Sequence, residues 1–315
     1  MSRAFFREAS VCVDPRIKDI VAGKFTPQLT GRYITIADMV EDCKKHLLPK
    51  LTSIKLKGVA GVPRSGVLPA SVCAAFLNLP LYSFSTDSGF IKLSARSSSG
   101  GRRMEFYNES EGKILLLDDT YFTGESMKVV RSSVKRQDIL YASLYITPEK
   151  VQEVDIYGLK LQHPYFLEWC LFNSGYMSKA YLDFDGILCP NVPFDIANNE
   201  DKYIDYITNV EPYYENLPRI FKCKGIITAR LEKYRAITEA WLEKHNVNYG
   251  ELIMFPTERK DERDQNHTEV IGEFKGKQLE RTKATFYVES EPVEAKKIKK
   301  HTRAVIICPR SGRFG

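Results

Sequence analysis

Two adjacent carboxylates, Asp118 and Asp119, follow an apolar run from Ile114 to Leu117. Charged residues flank the run, which favours a strand that is covered on both faces in a parallel sheet. Ligands of such sheets bind at the carboxyl ends of the strands. Two carboxylates about 5 Å apart repel each other by roughly 3 kcal/mol at an effective dielectric of about 20. We therefore expect hydrogen-bond donors or a cation beside this pair.

The residues after the acid pair are small and rich in hydroxyls. Thr123, Gly124, Glu125 and Ser126 offer backbone N–H groups and hydroxyls at the start of a predicted helix that runs through Val134. A helix N-terminus attracts phosphate. Acids that bind a diol beside a phosphate loop predict a sugar phosphate site. The alternative is an ordinary turn between a strand and a helix, with an acidic N-cap.

A second short apolar strand, from Leu56 to Val62, leads into a tight turn and then a helix-compatible segment from Val67 to Leu77. The turn consists of Pro63, Arg64, Ser65 and Gly66. An arginine in a tight glycine turn can face a diphosphate. Alone this signal is weak, because Arg-Ser-Gly is common in loops.

The segment KILLLDDTYFTGES, Lys113 to Ser126, resembles the signature of the type I phosphoribosyltransferases. The resemblance implies that Mg²⁺ and phosphoribosyl diphosphate (PRPP) bind here and that a nitrogenous base displaces pyrophosphate. It places Asp118 and Asp119 on the ribose hydroxyls and the loop from Thr123 to Ser126 on the 5′-phosphate. It assigns the pyrophosphate to Arg64, Ser65 and Gly66, usually with one strained peptide. Phe122 departs from the family, which often has an acid or a small residue there, so that position has no assigned role in removing a proton from the base.

A polar segment from Ser83 to Glu105 lies between the two loops, and its composition favours mobility. The corresponding loop of the family folds over the active site and brings basic side chains to the pyrophosphate. Arg102 and Arg103, or Lys92, are the candidates for that role. The alternative is a solvated loop whose charges are incidental.

Asp183 and Asp185 lie two residues apart at the end of another predicted strand, in YLDFDGILCP. Alternation along the strand brings them close together. One carboxylate can then attack a phosphorus atom while the other protonates the leaving oxygen, and Mg²⁺ screens the charges. Calcium loops and turns also use Asp-x-Asp-Gly, so the motif alone is moderate support.

The pattern resembles the haloacid dehalogenase-like phosphatases, and the rest of their residue set follows in the required order. Thr228 ends a second strand and is suited to orient the phosphoryl group. Lys275, or less favourably Lys277, is the candidate cation for an aspartyl phosphate. The metal set is Asp183, Asp185 and then Glu289 and Glu291, with the choice between the two glutamates open. Many relatives have aspartates at the last two positions.

Length and composition favour two globular domains. The chain has 315 residues, 43% hydrophobic content and a net charge of +6. This charge is modest, so a nucleic-acid partner is not expected. No run of about 18 apolar residues predicts a membrane span, and the N-terminus lacks the apolar core of a signal peptide, which favours a cytoplasmic protein. The seven scattered cysteines, without a Cys-x-x-Cys pair, indicate reduced thiols rather than zinc or disulfides.

We predict an α/β chain in which each of two domains is a mainly parallel sheet flanked by helices. Residues 1–175 would form the transferase-like domain, including a base-covering hood near 165–172, and residues 176–315 the phosphatase-like domain with a small cap or none. A capping box at Thr35 and Asp38 predicts a helix to about Leu48 that Pro49 helps to end. The charged segment 258–267 is predicted as a loop. Transferases of this kind often form homodimers.

Together the resemblances imply that the first domain makes a nucleotide from PRPP and a base, and that the second hydrolyses a phosphate ester. If the nucleotide is that ester, the net product is a nucleoside. Two alternatives stay open at this point. The phosphatase acts on another phosphoester or on a nucleic-acid end, or the first domain is a non-catalytic binder that senses PRPP.

Overall fold

The computed structural model describes residues 32–93 and 111–309. These residues form two compact units: the first unit is Thr35–His163, and the second unit is 32–34 together with 164–309. Phe166, Leu171 and Phe172 pack into the same core as Ala180 and Leu182, which is why the chain from 164 onward belongs to the second unit. The predicted boundary at residue 175 falls inside this unit, and the division into 1–175 and 176–315 stays a prediction.

The strands are β1 (Arg32–Ile34), β2 (Leu56–Gly61), β3 (Leu81–Ser85), β4 (Gly89–Leu93), β5 (Lys113–Tyr121), β6 (Ile139–Ile146), β7 (Ile156–Lys160), β8 (Tyr165–Leu167), β9 (Ala180–Leu182), β10 (Cys223–Leu231), β11 (Tyr249–Phe255), β12 (Phe286–Val288) and β13 (Val305–Ile307). The α-helices are α1 (Ile36–Asp42), α2 (Leu48–Leu51), α3 (Val67–Leu77), α4 (Glu125–Ser133), α5 (Glu168–Leu171), α6 (Phe194–Ala197), α7 (Glu200–Asn209), α8 (Arg235–Lys244), α9 (Lys260–Gln265), α10 (His267–Arg281) and α11 (Pro292–Lys299). A π-helical segment spans Cys43–Leu47, and short 3₁₀ segments span Pro148–Glu153, Gly175–Lys179, Tyr214–Asn216, Glu232–Tyr234 and Thr257–Arg259.

The first unit is built on a sheet in the order β4-β3-β2-β5-β6-β7. All its neighbouring pairs are parallel except β3 with β4. The apolar run Ile114 to Leu117 is buried in the middle of this sheet, as its composition predicted. Parallel strands need helices on the sheet faces, and the connections through α3 and α4 provide them.

The second unit contains a parallel sheet in the order β11-β10-β9-β12-β13, and a separate parallel pair of β1 and β8. The strand β9 is central, with Leu182 opposite Ile226 of β10 and Val288 of β12. The residues that follow these positions therefore meet at one edge of the sheet. The predicted fold class, α/β with mainly parallel sheets flanked by helices, is confirmed.

Two local predictions were tested near residues 35–50. The capping box is confirmed, because Asp38 N donates to Thr35 Oγ1 at 3.1 Å and Thr35 N donates to Asp38 Oδ2 at 2.9 Å. The prediction that Pro49 helps to end the helix was wrong, because the chain stays helical through Leu51. Pro49 lies in the first turn of α2, a position that tolerates proline, directly after the π-helical segment Cys43–Leu47.

Two segments predicted as loops form regular structure in the part that the structure describes. Residues 81–93 form the antiparallel hairpin of β3 and β4, where the rings of Phe84 and Phe90 lie 5.1 Å apart. In the segment 258–267, α9 forms and α10 begins. Salt bridges at helical spacing, Arg259 with Glu262 and Lys260 with Asp264, favour this helix despite its charge. Among the described residues, no helix is both long enough and apolar enough to cross a membrane.

Candidate functional site

The acid pair of the first unit lies where β5 loses one of its two neighbours. Pairing with β2 ends at Leu117, opposite Gly61, whereas pairing with β6 continues to Tyr121. The strand is therefore longer than the apolar run predicted. Asp118 and Asp119 are buried strand residues beside the end of β2. This uneven ending opens the sheet edge at the two acids.

The turn from Pro63 to Gly66 fills part of that opening. A Cβ on Gly66 would lie 2.6 Å from Leu117 O and 2.9 Å from Asp118 Cα, so only glycine fits there. Two motifs distant in the sequence thus touch through backbone. The Pro63–Arg64 peptide bond is cis. Arg64 is exposed and Ser65 half-buried, so both remain accessible to a ligand.

The predicted phosphate loop leads into α4. Gly124 is its N-cap, with a left-handed φ of +79° that favours glycine. Thr123 Oγ1 accepts the N–H of Glu125 at 3.3 Å, and Glu125 and Ser126 are exposed at the first turn. This nine-residue helix turns its N-terminus toward the loop that follows the acids.

Backbone N–H groups contribute to the compensation of the two acids. Asp119 N donates to Asp118 Oδ1 at 3.0 Å, and Thr120 N donates to Asp119 Oδ1 at 2.8 Å. Burial, and next the neighbouring Asp119, raise the pKa of Asp118 well above its ordinary value. A bound cation or hydroxyl donors would favour the ionised form, which fits a site that binds a ligand at these acids.

The basic residues predicted to cover the site are only partly described. Lys92 lies in the exposed edge strand β4 and pairs across the hairpin with Tyr82, so it belongs to a strand rather than to a loop. Arg102 and Arg103 lie outside the described residues. The rings of Phe122 and His163 lie 4.1 Å apart beside the phosphate loop.

In the second unit, Asp183 follows β9 and meets a buried lysine. Lys275 Nζ lies 3.0 Å from Asp183 Oδ2 and 2.8 Å from Glu289 Oε2. Lys277 is exposed and pairs with Glu273 at 2.5 Å, so of the two candidates it is Lys275 that reaches Asp183. Burial, and next Glu289, raise the pKa of Asp183. Burial alone would lower the pKa of Lys275, but the carboxylates, led by Asp183, outweigh it and raise that pKa.

The other predicted residues lie at the same edge with different partners. Asp185 accepts two hydrogen bonds from Arg230, from Nε at 2.9 Å and from Nη2 at 2.7 Å. The hydroxyl of buried Thr228 accepts the N–H of Arg230 at 3.2 Å. Glu291 Oε1 accepts from Asn191 Nδ2 at 3.1 Å, and Glu291 N donates to Glu289 Oε1 at 3.1 Å.

The predicted Mg²⁺ ligands do not converge on one point. Asp183 and Glu289 contact Lys275, whereas Asp185 is paired with Arg230. Within residues 32–93 and 111–309, no three His, Cys, Asp or Glu side chains are arranged to hold a metal ion. Carboxylate oxygens suit Mg²⁺, but here protein cations already hold Asp183, Asp185 and Glu289. In this arrangement the donor set does not fit the predicted centre.

Two residues of this site, Arg230 and Glu294, belong to none of the sequence motifs. Glu294 Oε2 lies 3.2 Å from Lys275 Nζ, and its other oxygen lies 3.3 Å from His267 Nε2. Both residues are buried. Arginine and glutamate are rarely buried unless they are paired, and here each is in an ion pair. Arg230 comes two residues after Thr228 on the same strand, a spacing that could have indicated it.

Comparisons with known proteins gave structural similarities only. No family model and no curated protein matches the chain. Purine phosphoribosyltransferase from Pyrococcus horikoshii is similar with a TM-score of 0.33 and 21% identity over 45% of this chain and 95% of that one. Xanthine-guanine-hypoxanthine phosphoribosyltransferase of Helicobacter pylori is similar with a TM-score of 0.32 and 14% identity, over 44% of this chain and 91% of that one. APRTase from Giardia lamblia is similar with a TM-score of 0.27 and 16% identity, over 46% of this chain and 85% of that one. At TM-scores below 0.5 these similarities carry no argument about what this chain does.

Proposed function

We propose that the chain is a bifunctional enzyme whose first unit transfers phosphoribosyl from PRPP to a nitrogenous base. The observation that carries this proposal is the contact of the Pro63–Gly66 turn with the backbone at Asp118, next to the helix that Gly124 caps. A diphosphate turn, a carboxylate pair and a phosphate-binding helix start are the three features that a sugar phosphate with a diphosphate leaving group requires.

The diphosphate turn, the carboxylate pair and the helix start together support the following substrate assignment. The magnesium complex of PRPP is the substrate: Arg64, Ser65 and Gly66 hold its pyrophosphate, and the residues from Thr123 to Ser126 hold its 5′-phosphate. Asp118 and Asp119 bind the ribose hydroxyls. Arg102 and Arg103, which lie outside the described residues, or Lys92 are the candidates to pair with the pyrophosphate.

The transfer step breaks the bond between the anomeric carbon and the pyrophosphate oxygen and forms a bond from that carbon to a base nitrogen. Pyrophosphate leaves with the bonding electron pair, and the proton of the base nitrogen passes to solvent water. Positive charge develops on the ribose as the leaving group departs. The carboxylates of Asp118 and Asp119 stabilise that charge electrostatically.

A second activity, hydrolysis of a phosphate ester, is supported by Lys275 Nζ lying between Asp183 and Glu289. Asp183 attacks phosphorus, the ester P–O bond breaks, and Asp185 gives a proton to the leaving alcohol. To do so it gives up one of its hydrogen bonds from Arg230. Water then attacks the aspartyl phosphate, releases phosphate and returns the proton to Asp185. Thr228 orients the phosphoryl group, and Lys275 offsets the charge of Asp183.

The two reactions are coupled if the nucleotide made by the first unit is the ester that the second unit hydrolyses. The experiment is mass spectrometry of the wild-type protein with Mg²⁺, PRPP and a panel of purine, pyrimidine and pyridine bases. Base-dependent nucleoside is the expected product. Asp183→Asn should accumulate nucleotide without loss of its synthesis, and Asp118→Asn should slow the formation of both products roughly 10²- to 10³-fold.

The main alternative is a PRPP-sensing first unit beside a phosphatase for another phosphoester. PRPP that stays unchanged with every base, together with hydrolysis of a generic phosphate ester, would favour this alternative. Loss of the transferase step in Asp183→Asn would contradict the coupled scheme.

A further inference from the structure

Arg230 is a buried cation in β10 that the sequence motifs did not include. Its side chain is 1% exposed, and its guanidinium carbon lies 3.8 Å from the centre of the Phe184 ring. Nε and Nη2 both donate to Asp185, at 2.9 and 2.7 Å. A charge removed from water requires such partners. The ion pair uses two of the three guanidinium nitrogens, Nε and Nη2.

The third nitrogen, Nη1, is buried and has no hydrogen-bond partner within residues 32–93 and 111–309. A guanidinium is a rigid planar fork, so the two bonds to Asp185 also fix the direction of Nη1. Buried polar groups nearly always have a partner, and an exception beside a candidate site calls for an explanation, such as a ligand, an ion or a water.

Lys275, the other buried cation at this edge, is paired with three carboxylates. Its Nζ lies within 3.2 Å of a carboxylate oxygen of each of Asp183, Glu289 and Glu294. Of the three N–H donors of an ammonium, two donate to Glu289 and Glu294, and the same charge is also paired with Asp183. An incoming phosphate therefore needs its positive donor from elsewhere.

We infer that Nη1 of Arg230 donates a hydrogen bond to an anionic oxygen of the phosphate ester attacked by Asp183, which makes Arg230 a substrate-binding residue. This inference rests on the phosphatase function proposed for the second unit. The carboxylates at this edge repel a phosphate dianion, and a guanidinium matches phosphate in both charge and geometry. The backbone N–H of Arg230 donates to the hydroxyl oxygen of Thr228. The proton of that hydroxyl can then be donated to the same phosphate.

The test compares Arg230→Gln and Arg230→Lys with the matched control Arg263→Gln in the full-length protein. Arg263 donates Nη1 to the carbonyl of Ala229, the residue before Arg230, and is half-buried beside the same strand. Hydrolysis of p-nitrophenyl phosphate gives KM and kcat, and calorimetry gives the Kd for inorganic phosphate. Loss of a charged hydrogen bond should raise KM and Kd roughly 10- to 100-fold in Arg230→Gln. Arg230→Lys should be intermediate, and Arg263→Gln should stay within about twofold.

Asp185→Asn separates substrate binding from a purely structural role. If Arg230 only holds Asp185 in place, both Asp185→Asn and Arg230→Gln lower kcat and leave the Kd for phosphate unchanged, which overturns the inference. If Arg230 binds phosphate, Arg230→Gln raises the Kd for phosphate by more than Asp185→Asn does, because Asp185→Asn keeps the guanidinium and one acceptor for it and removes a negative charge.

A measurement on the wild-type protein covers the case in which Arg230→Gln does not fold. With ¹⁵N-labelled arginine, adding inorganic phosphate should shift one guanidinium resonance, the one that is missing in Arg230→Lys. No such shift in a wild type that hydrolyses the ester overturns the inference and leaves the phosphatase proposal intact. A wild type that neither binds phosphate nor hydrolyses the ester instead overturns the phosphatase proposal.

Discussion

The two aspartate pairs of the chain are buried in different ways. Asp118 and Asp119 accept N–H groups from the residues that follow them. Asp183 and Asp185 each contact a buried cation, Lys275 and Arg230, from other elements of the second unit. Both pairs lie near the carboxyl edge of a parallel sheet. Backbone N–H groups serve both pairs, since Phe184 N also donates to Asp183 Oδ1, and the second pair adds full positive charges from tertiary structure.

The largest expected effect is the loss of the cation at the second pair. Lys275→Met leaves the carboxylates of Asp183, Glu289 and Glu294 without their common partner, and should lower the free energy of unfolding by roughly 3 to 5 kcal/mol. Chemical denaturation measures it, with the exposed Lys277→Met as the control, expected within about 0.5 kcal/mol of wild type. Equal effects of the two changes would remove the distinction between the pairs.

At the first pair, the expected effect is on catalysis. Asp118→Asn keeps the shape of the side chain and removes its charge, so the kcat of phosphoribosyl transfer should fall roughly 10²- to 10³-fold. The assay measures pyrophosphate release with the base that gives a product in the mass-spectrometry experiment. Asp138→Asn, at the opposite end of the strands, serves as the control. An unchanged rate in Asp118→Asn would contradict the role of this pair.

A smaller effect is expected from the contact that places the diphosphate turn. Gly66→Ala puts a methyl group 2.6 Å from Leu117 O, so the turn has to move, at about 1 to 3 kcal/mol of stability and with weaker PRPP binding. Gly89→Ala is the control, because its φ of +69° strains the backbone although no atom lies within 4 Å. Calorimetric PRPP binding that is equally weakened in both would mean that strain, not the contact, matters.

The pH dependence of stability should differ in sign between a buried and a half-exposed acid. The pKa of Asp118 is raised by burial, so between its ordinary value and the raised value the native state holds the proton more tightly than the unfolded chain does. Its contribution therefore lowers stability as pH rises through that window. Unfolding at pH 4 and pH 8 should show that Asp118→Asn gains stability relative to wild type at the higher pH. A constant difference would rule this out.

Asp138 should behave in the opposite sense and by the smallest amount. Arg136, and also Lys57, lower the pKa of this half-exposed carboxyl. Its stabilisation is present above the ordinary pKa of an aspartate and is lost as pH falls through the lowered value. Asp138→Asn should therefore be less stable than wild type at pH 7 by about 1 kcal/mol or less, and equal to it in strong acid. Acid unfolding of both proteins measures this, and a difference that persists at low pH would contradict it.

Sequence patterns predicted most of the local structure of both sites. Apolar runs located β5 and β2, and the capping box located the start of α1, because burial and end-capping leave signals within a few residues. The patterns failed where contacts between side chains, rather than the local composition, decide the secondary structure. The hairpin of β3 and β4 reads as a polar loop until the rings of Phe84 and Phe90 meet, and α9 reads as a charged loop until its salt bridges form.

The amino-acid order by itself determined which residue types stand at each strand end, and hence the candidate chemistry at Asp118, Asp119, Asp183 and Asp185. Only the tertiary structure decided which cation each acid meets, since Lys275 and Lys277 look alike in sequence and Arg230 resembles any strand residue. The physical reason is that the choice of partner depends on the register between strands distant in sequence and on burial. At short range in a desolvated site, a difference of a few ångströms decides whether two charges form an ion pair.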